Sequence, residues 1–238
     1  MDQTLTISAD DVMRTLATPQ APTLIDVCIP EDIAADPWRV PGARHVSHLD
    51  IQDWAGCRPA PGPVVVICQK GLKLSHGAAA LLRAQGIAAR ALEGGNQNWA
   101  ARDLPRIALN AHPEIDAPWV LPANSNAATV AAWVIYRWFD AAATVMWVPS
   151  AMCDEVAMRF GATAPSLTSL AAFCTRFGLD HPSLSAFLTE IDKGTPGWLP
   201  LLKAAGAQCD RPETACAAAL PILDTAWAAH LTALREVT

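Results

Sequence analysis

Residues 64–77 read Val-Val-Val-Ile-Cys-Gln-Lys-Gly-Leu-Lys-Leu-Ser-His-Gly. The opening run is continuously apolar and mostly β-branched, the pattern of a strand buried on both faces of a parallel sheet. It ends at Cys68. A short loop follows, with one glycine (Gly71) and two lysines (Lys70 and Lys73). An alanine- and leucine-rich stretch then predicts a helix over Ser75–Ala84, stopped by Gly86. A thiol at such a junction faces backbone N–H groups and the positive end of a helix dipole, which together favour an anion. The lysines add full charge, and all three effects favour the thiolate, the nucleophilic form. A small hydrophobe closing a buried strand is the plainer alternative. Yet cations at a helix N-terminus are unfavourable unless something negative sits there. The loop reads as a reactive cysteine facing a small anionic substrate.

Upstream, Ser8-Ala9-Asp10-Asp11 before Val12, Met13 and Leu16 predicts a short capped helix. Thr23–Cys28 reads as a strand followed by an acidic turn, and Val40-Pro41-Gly42-Ala43 as a turn into an extended Arg44-His45-Val46. Downstream, Ile87–Leu92 reads as another strand, and Gly94-Gly95 opens a helix over Asn98–Arg102. Strands alternating with helices imply βαβ units and a parallel α/β sheet flanked by helices. Pro105, Pro113, Pro118 and Pro122 then interrupt any regular element. This predicts a first domain over residues 1–112, a linker over 113–126 and a second, mainly helical domain over 127–238. In the latter, 129–140 is apolar and aromatic, and Ala143–Val148 is a short strand. Further helices are expected at 151–160, 167–177, 182–192, 197–205 and 212–235.

The chain of 238 residues is 52% hydrophobic and 17% charged, enough to bury a sizeable core. Residues 1–110 carry 10 basic and 11 acidic side chains, and 111–238 carry 7 and 12, so the net charge of −6 arises mostly in the second half. No basic stripe exists, which argues against nucleic acid as a partner. The seven cysteines form no Cys-x-x-Cys pair, and the N-terminal residues lack a basic-then-apolar signal pattern. Reduced thiols in a cytoplasm are the expectation. The longest stretch without formal charge, 117–136, is broken by Pro118 and Pro122, so no membrane span is expected.

Three segments in order resemble the rhodanese domain. Leu24-Ile25-Asp26-Val27 with Val40-Pro41-Gly42-Ala43 looks like its opening strand and turn. Cys68-Gln69-Lys70-Gly71-Leu72-Lys73-Leu74-Ser75 looks like its active-site loop, and Leu92-Glu93-Gly94-Gly95 through Trp99 looks like its closing motif. The resemblance implies sulfur transfer through a persulfide on Cys68, from thiosulfate or a similar donor to a thiol or cyanide. Gln69 to Ser75 would hold the dianionic donor through backbone N–H groups, with Lys70 and Lys73 supplying charge. Splitting the transfer in this way implies ping-pong kinetics. Arginine is frequent in the family after the Asp-Val of the first strand, where this chain has Cys28. Asp26 would then lack its usual partner unless Arg44 substitutes, and Cys28 is a candidate resolving thiol or a plain buried cysteine. Lys73 stands where arginine is frequent, keeping the charge and losing the bidentate fork.

The second half resembles the C-terminal domain of chromate-resistance regulatory proteins. The resemblance lies in Ala132-Trp133 through Arg137-Trp138-Phe139-Asp140, Trp147-Val148-Pro149, Phe160–Thr163 and Phe177–Asp180. An Asp-Arg pair and a cysteine usual in that pattern are here Ala127, Ala128 and Ala131. A segment with histidine expected near 166–174 has none. This copy reads as degenerate, with a structural or interaction role, and its apolar helices offer a homodimer surface.

Two other functions compete with sulfur transfer. The Cys68 loop could bind an oxyanion such as chromate without turnover and serve a regulatory second domain. A phosphatase or arsenate reductase uses a related cysteine loop, but one that ends in a clamping arginine. No metal or cofactor is expected. His45 and His48 on an extended segment, and Cys209 and Cys216 with Pro212 between them, make poor ligand sets, and no phosphate-binding loop is present. Most of the tryptophans are expected to fill the helical core.

Overall fold

The computed structural model describes residues 5–18, 20–57, 62–109, 117–179 and 181–237. The chain divides into two compact units, Met1–Leu16 with Gln20–Asn110, and Ala17–Pro19 with Ala111–Thr238.

The first unit is the α/β domain that the alternation predicts. Its elements are β1 (Thr6–Ile7), α1 (Ala9–Thr15), β2 (Thr23–Asp26), α2 (Pro30–Ala35), β3 (Trp38–Arg39), β4 (Ala43–His45), α3 (Ile51–Cys57), β5 (Val64–Ile67), α4 (Lys73–Ala84), β6 (Ala89–Leu92), α5 (Gly95–Ala101) and β7 (Ile107–Ala108). Five strands form one parallel sheet in the order β1-β6-β5-β2-β4. Strand β5 is central, and all four of its residues are buried. Its continuous apolar run is what a strand covered on both faces requires. Ile51 and Ala55 of α3 and Ala78, Ala79 and Leu82 of α4 pack against Ile25, Val27, Val64 and Val66. The short strands β3 and β7 pair antiparallel as a separate ribbon.

Several elements here differ from expectation, among them the short strands β1, β3 and β7 and the start of α5 at Gly95 instead of Asn98. The acidic turn after β2 is the helix α2, for which Pro30 at the first helical position and Glu31 and Asp32 in the first turn give a sound chemical reason. Helix α3 occupies a stretch with no expected element. Helix α4 begins at Lys73, two residues before the expected Ser75, so Lys73 belongs to the first helical turn.

The second unit contains β8 (Trp119–Pro122), α6 (Asn126–Val134), β9 (Val145–Val148), α7 (Cys153–Phe160), α8 (Leu170–Arg176), α9 (Pro182–Asp192), α10 (Leu199–Ala207) and α11 (Pro212–Val237). It is mainly helical. Strand β8 lies inside the expected 113–126 linker and pairs parallel with β9. Its prolines flank three buried apolar residues instead of breaking a strand. Helix α6 runs into a π-helical turn, Ile135–Phe139. Trp119 stacks on Phe139 at 5.8 Å and meets Phe173 and Phe177 edge-on. Trp133, Trp138, Phe187 and Trp227 form a second aromatic group. Arg137 is anchored by both oxygens of buried Asp224 at 2.9 Å, and Trp133 Nε1 donates to the same carboxylate at 2.8 Å. Residues 212–234 of α11 are long and apolar enough to cross a membrane by length and composition. Within that helix Asp224 holds Arg137, and Cys216, Ala219, Leu223 and Trp227 are buried.

Candidate active site

Strand β5 stops at Ile67, and Cys68 is the first residue beyond it, with 3% of its surface exposed. Two hydrogen bonds then fix the direction of the chain. The Asn96 N–H donates to the Cys68 carbonyl at 3.1 Å, and the Gln97 N–H donates to the Gln69 carbonyl at 3.0 Å. Both donors lie in the first turn of α5, whose N–H groups have no partner within their own helix. A trans peptide holds its C=O and N–H in opposite directions. Tying these two carbonyls to α5 therefore turns the Gln69 and Lys70 N–H groups the other way. Among the described residues, no backbone N–H from Gln69 to Ser75 finds an acceptor. Those of Lys73, Leu74 and Ser75 open α4. The result is a run of unsatisfied donors beside a buried thiol, an arrangement that stabilises negative charge.

Glycine makes the turn. Gly71 has φ +62°, and a Cβ there would stand 2.5 Å from the Gly94 and Gly95 nitrogens. Gly95 has φ +57° and packs on the Cys68 carbonyl so closely that any Cβ would strike it. These positions need both the left-handed backbone and the missing side chain.

The candidate residues take different places. Cys68 Sγ donates to Ser75 Oγ at 3.2 Å, and the fully buried Ser75 hydroxyl donates to the Leu72 carbonyl at 3.2 Å. A thiolate at Cys68 has no proton to donate, so the Ser75 hydroxyl is free to turn and donate to sulfur. Gly71 is buried, whereas Lys70, Leu72 and Lys73 are exposed. Leu74 packs against the core cluster and contributes only its backbone. Gln69 is buried, and its side chain points to Asp36.

The supporting pair does not form. Asp26 is buried and accepts the Cys28 N–H at 2.9 Å, while Arg44 is exposed. In the β2–β4 register Arg44 lies opposite Ile25, and His45 lies opposite Asp26. Successive residues of a strand point to opposite faces, which puts Arg44 and Asp26 on different sides of the sheet. Cys28 is buried and receives Asn96 Nδ2 at 3.4 Å. Burial, then the Asp26 charge and its hydrogen bond, push the Cys28 thiol far above the ordinary range. It stays protonated and a poor nucleophile, against a resolving role.

Asn96 is a site residue that the sequence pattern did not single out. It binds Cys68 through its backbone and Cys28 through its side chain, and the only signal in the chain was the Gly94-Gly95 pair before it. No group of three or more His, Cys, Asp or Glu among the described residues could hold a metal ion.

The family model described as "Rhodanese-like domain" matches residues 8–102, and that segment is a rhodanese-like domain. A rhodanese-related protein from Thermoplasma volcanium shares 21% identity with a TM-score of 0.38, over 44% of this chain and 99% of its own. A rhodanese homolog from Thermus thermophilus shares 28% identity with a TM-score of 0.30, over 40% and 99%. A rhodanese-like domain protein from Staphylococcus aureus shares 24% identity with a TM-score of 0.36, over 40% and 91%. No curated protein matches the chain.

Proposed function

We propose that the first unit is a sulfurtransferase that carries sulfane sulfur on Cys68. The Cys68 thiolate attacks the outer sulfur of thiosulfate or a similar donor. An S–S bond forms to Cys68, the bond to the sulfonate sulfur breaks with its electron pair, and sulfite leaves. The resulting persulfide carries its negative charge on the terminal sulfur, among the N–H groups of the loop. Cyanide or an acceptor thiolate then takes that sulfur and returns Cys68 as thiolate. The observation that carries this reading is the run of N–H groups from Gln69 to Ser75 without acceptors, set against a buried thiol. Preorganised donors of this kind stabilise developing negative charge without reorganisation. Ser75 adds a hydroxyl within reach of the same sulfur.

The second unit is proposed as a degenerate relative of the chromate-resistance C-terminal domain with a structural or interaction role. Ala128 and Ala131, which stand at polar positions of that pattern, are fully buried in α6 and offer no ligand atoms. All seven cysteines are unpaired, which supports a reducing compartment.

Intact-protein mass spectrometry after thiosulfate treatment tests the proposal, with wild type beside Cys68→Ser. A gain of one sulfur, removed by cyanide and absent from the variant, is expected. A folded, reduced protein that gains none would sink sulfur transfer. A chromate or sulfate titration would then show whether the same loop binds an oxyanion without turnover.

A further inference from the structure

Gln69, the residue after the nucleophile, is held at both ends. Its carbonyl takes the Gln97 N–H, and its side-chain Nε2 donates to Asp36 Oδ2 at 3.0 Å. Asp36 is itself held: Arg106 Nη1 lies 3.3 Å from its Oδ1, and both side chains are only 26% exposed. The Arg106 guanidinium lies over the Trp38 ring, 4.8 Å from its centroid. A chain of polar contacts thus runs from the Trp38 face through Arg106 and Asp36 to the loop.

The fold assembles this chain from distant segments. Asp36 caps the C-terminus of α2, two residues before β3, and Arg106 immediately precedes β7. The β3–β7 ribbon belongs to no other sheet, and the Leu109 N–H bond to the Pro37 carbonyl at 2.9 Å extends it. Cation–π stacking and the carboxylate fix a guanidinium that would otherwise sample many rotamers. A fully exposed ion pair would contribute little, but this one is partly buried and ends on the residue next to the nucleophile.

We propose that Asp36, backed by Arg106 and Trp38, is a positioning residue: it fixes Gln69 and, through Gln69, the aim of the N–H groups around Cys68. Its effect on turnover rests on the sulfurtransferase reading. Its effect on the loop does not.

The test compares full-length wild type, Asp36→Ala and Asp36→Asn. The first readout is iodoacetamide alkylation of Cys68 relative to the exposed Cys57, resolved by peptide mass spectrometry. Asparagine keeps an acceptor for Gln69, and alanine removes it. Asp36→Ala is expected to change the Cys68-to-Cys57 rate ratio by about fivefold, the worth of one net hydrogen bond, with Asp36→Asn within about twofold of wild type. In thiosulfate turnover, Asp36→Ala should raise KM by about fivefold and change kcat less. If wild type takes up no sulfur, the sulfurtransferase reading falls, and the alkylation ratio still decides the positioning role. A wild-type ratio in folded Asp36→Ala overturns it. So does Asp36→Asn as impaired as Asp36→Ala. Should Asp36→Ala fail to fold, Gln69→Leu breaks the same link while leaving Asp36 and Arg106 paired, and must shift the ratio equally.

Discussion

Gly95 packs directly on the carbonyl of Cys68, with no room for a single added carbon between them. That closeness brings the Asn96 N–H within 3.1 Å of the same carbonyl. The turn at Cys68 is set by a glycine 27 positions away in sequence (95 − 68).

Alanine at Gly95 is therefore expected to displace the Cys68 peptide and lower thiosulfate-dependent sulfur uptake by more than about tenfold, since α5 can no longer close on the loop. Gly77 is the control. It lies in α4, and an added Cβ there meets nothing within 4 Å. Gly77→Ala should leave uptake unchanged and stabilise the first unit by about 0.5–1 kcal/mol. Equal uptake by the two variants would refute the packing argument.

The lysines rank below the backbone. Lys70 and Lys73 are exposed, so solvent and salt screen their attraction for an anion. Changing both to glutamine should raise KM for thiosulfate by about threefold at low salt and less at high salt, with kcat nearly unchanged. A rise in KM of about a hundredfold or more would mean that side-chain charge, and not the N–H groups, holds the donor.

Alkaline pH should destabilise the second unit. Burial pushes the Cys216 thiol up to about 11 from an ordinary 9.0, partly countered by the Arg137 charge, and burial raises Cys174 further. In the unfolded chain these thiols ionise near their ordinary value, while in the native state they hold their protons. The unfolded state therefore binds fewer protons above about pH 9, and stability falls as pH rises from there through about 11. Denaturant midpoints read by tryptophan fluorescence at pH 8, 9.5 and 11 should decline. Cys216→Ala should flatten part of the decline, and equal slopes in both proteins would exclude this cause.

Asp224 is the polar centre of the helical unit. Replacing it with alanine strands a 29% exposed guanidinium and a buried indole N–H. The expected loss is about 3 kcal/mol, the usual result of breaking a largely buried pair from one side. Chemical denaturation followed by tryptophan emission measures it, and a loss below about 1 kcal/mol would place the pair among surface contacts.

The parallel sheet was legible because β5 and β2 are apolar runs with turn signals at both ends, and Cys68 stands where such a run stops. Helix α3 leaves no clear period in the sequence because it commits only Ile51 and Ala55 to burial and carries Gly56 in its last turn. That is too few buried positions to establish a helical period. Strand β8 was hidden by its own prolines, which mark a linker in composition but stand here at the ends of Trp119-Val120-Leu121. The Arg44 expectation failed by a single step of register, which no local pattern reveals. The Asp36–Gln69 contact joins residues 33 apart through a ribbon of two-residue strands, and neither strand is long enough to announce itself.

Pinning the Cys68 and Gln69 carbonyls to α5 separates what the loop does from what it looks like. The free donors beside the sulfur belong to the main chain, and the side chains at 70, 72 and 73 are exposed to solvent. Mutation can exchange those three residues without redrawing the main-chain path behind them. Glycines 71 and 95 have no such freedom. The loop is thus fixed along its main chain and free at its exposed side chains.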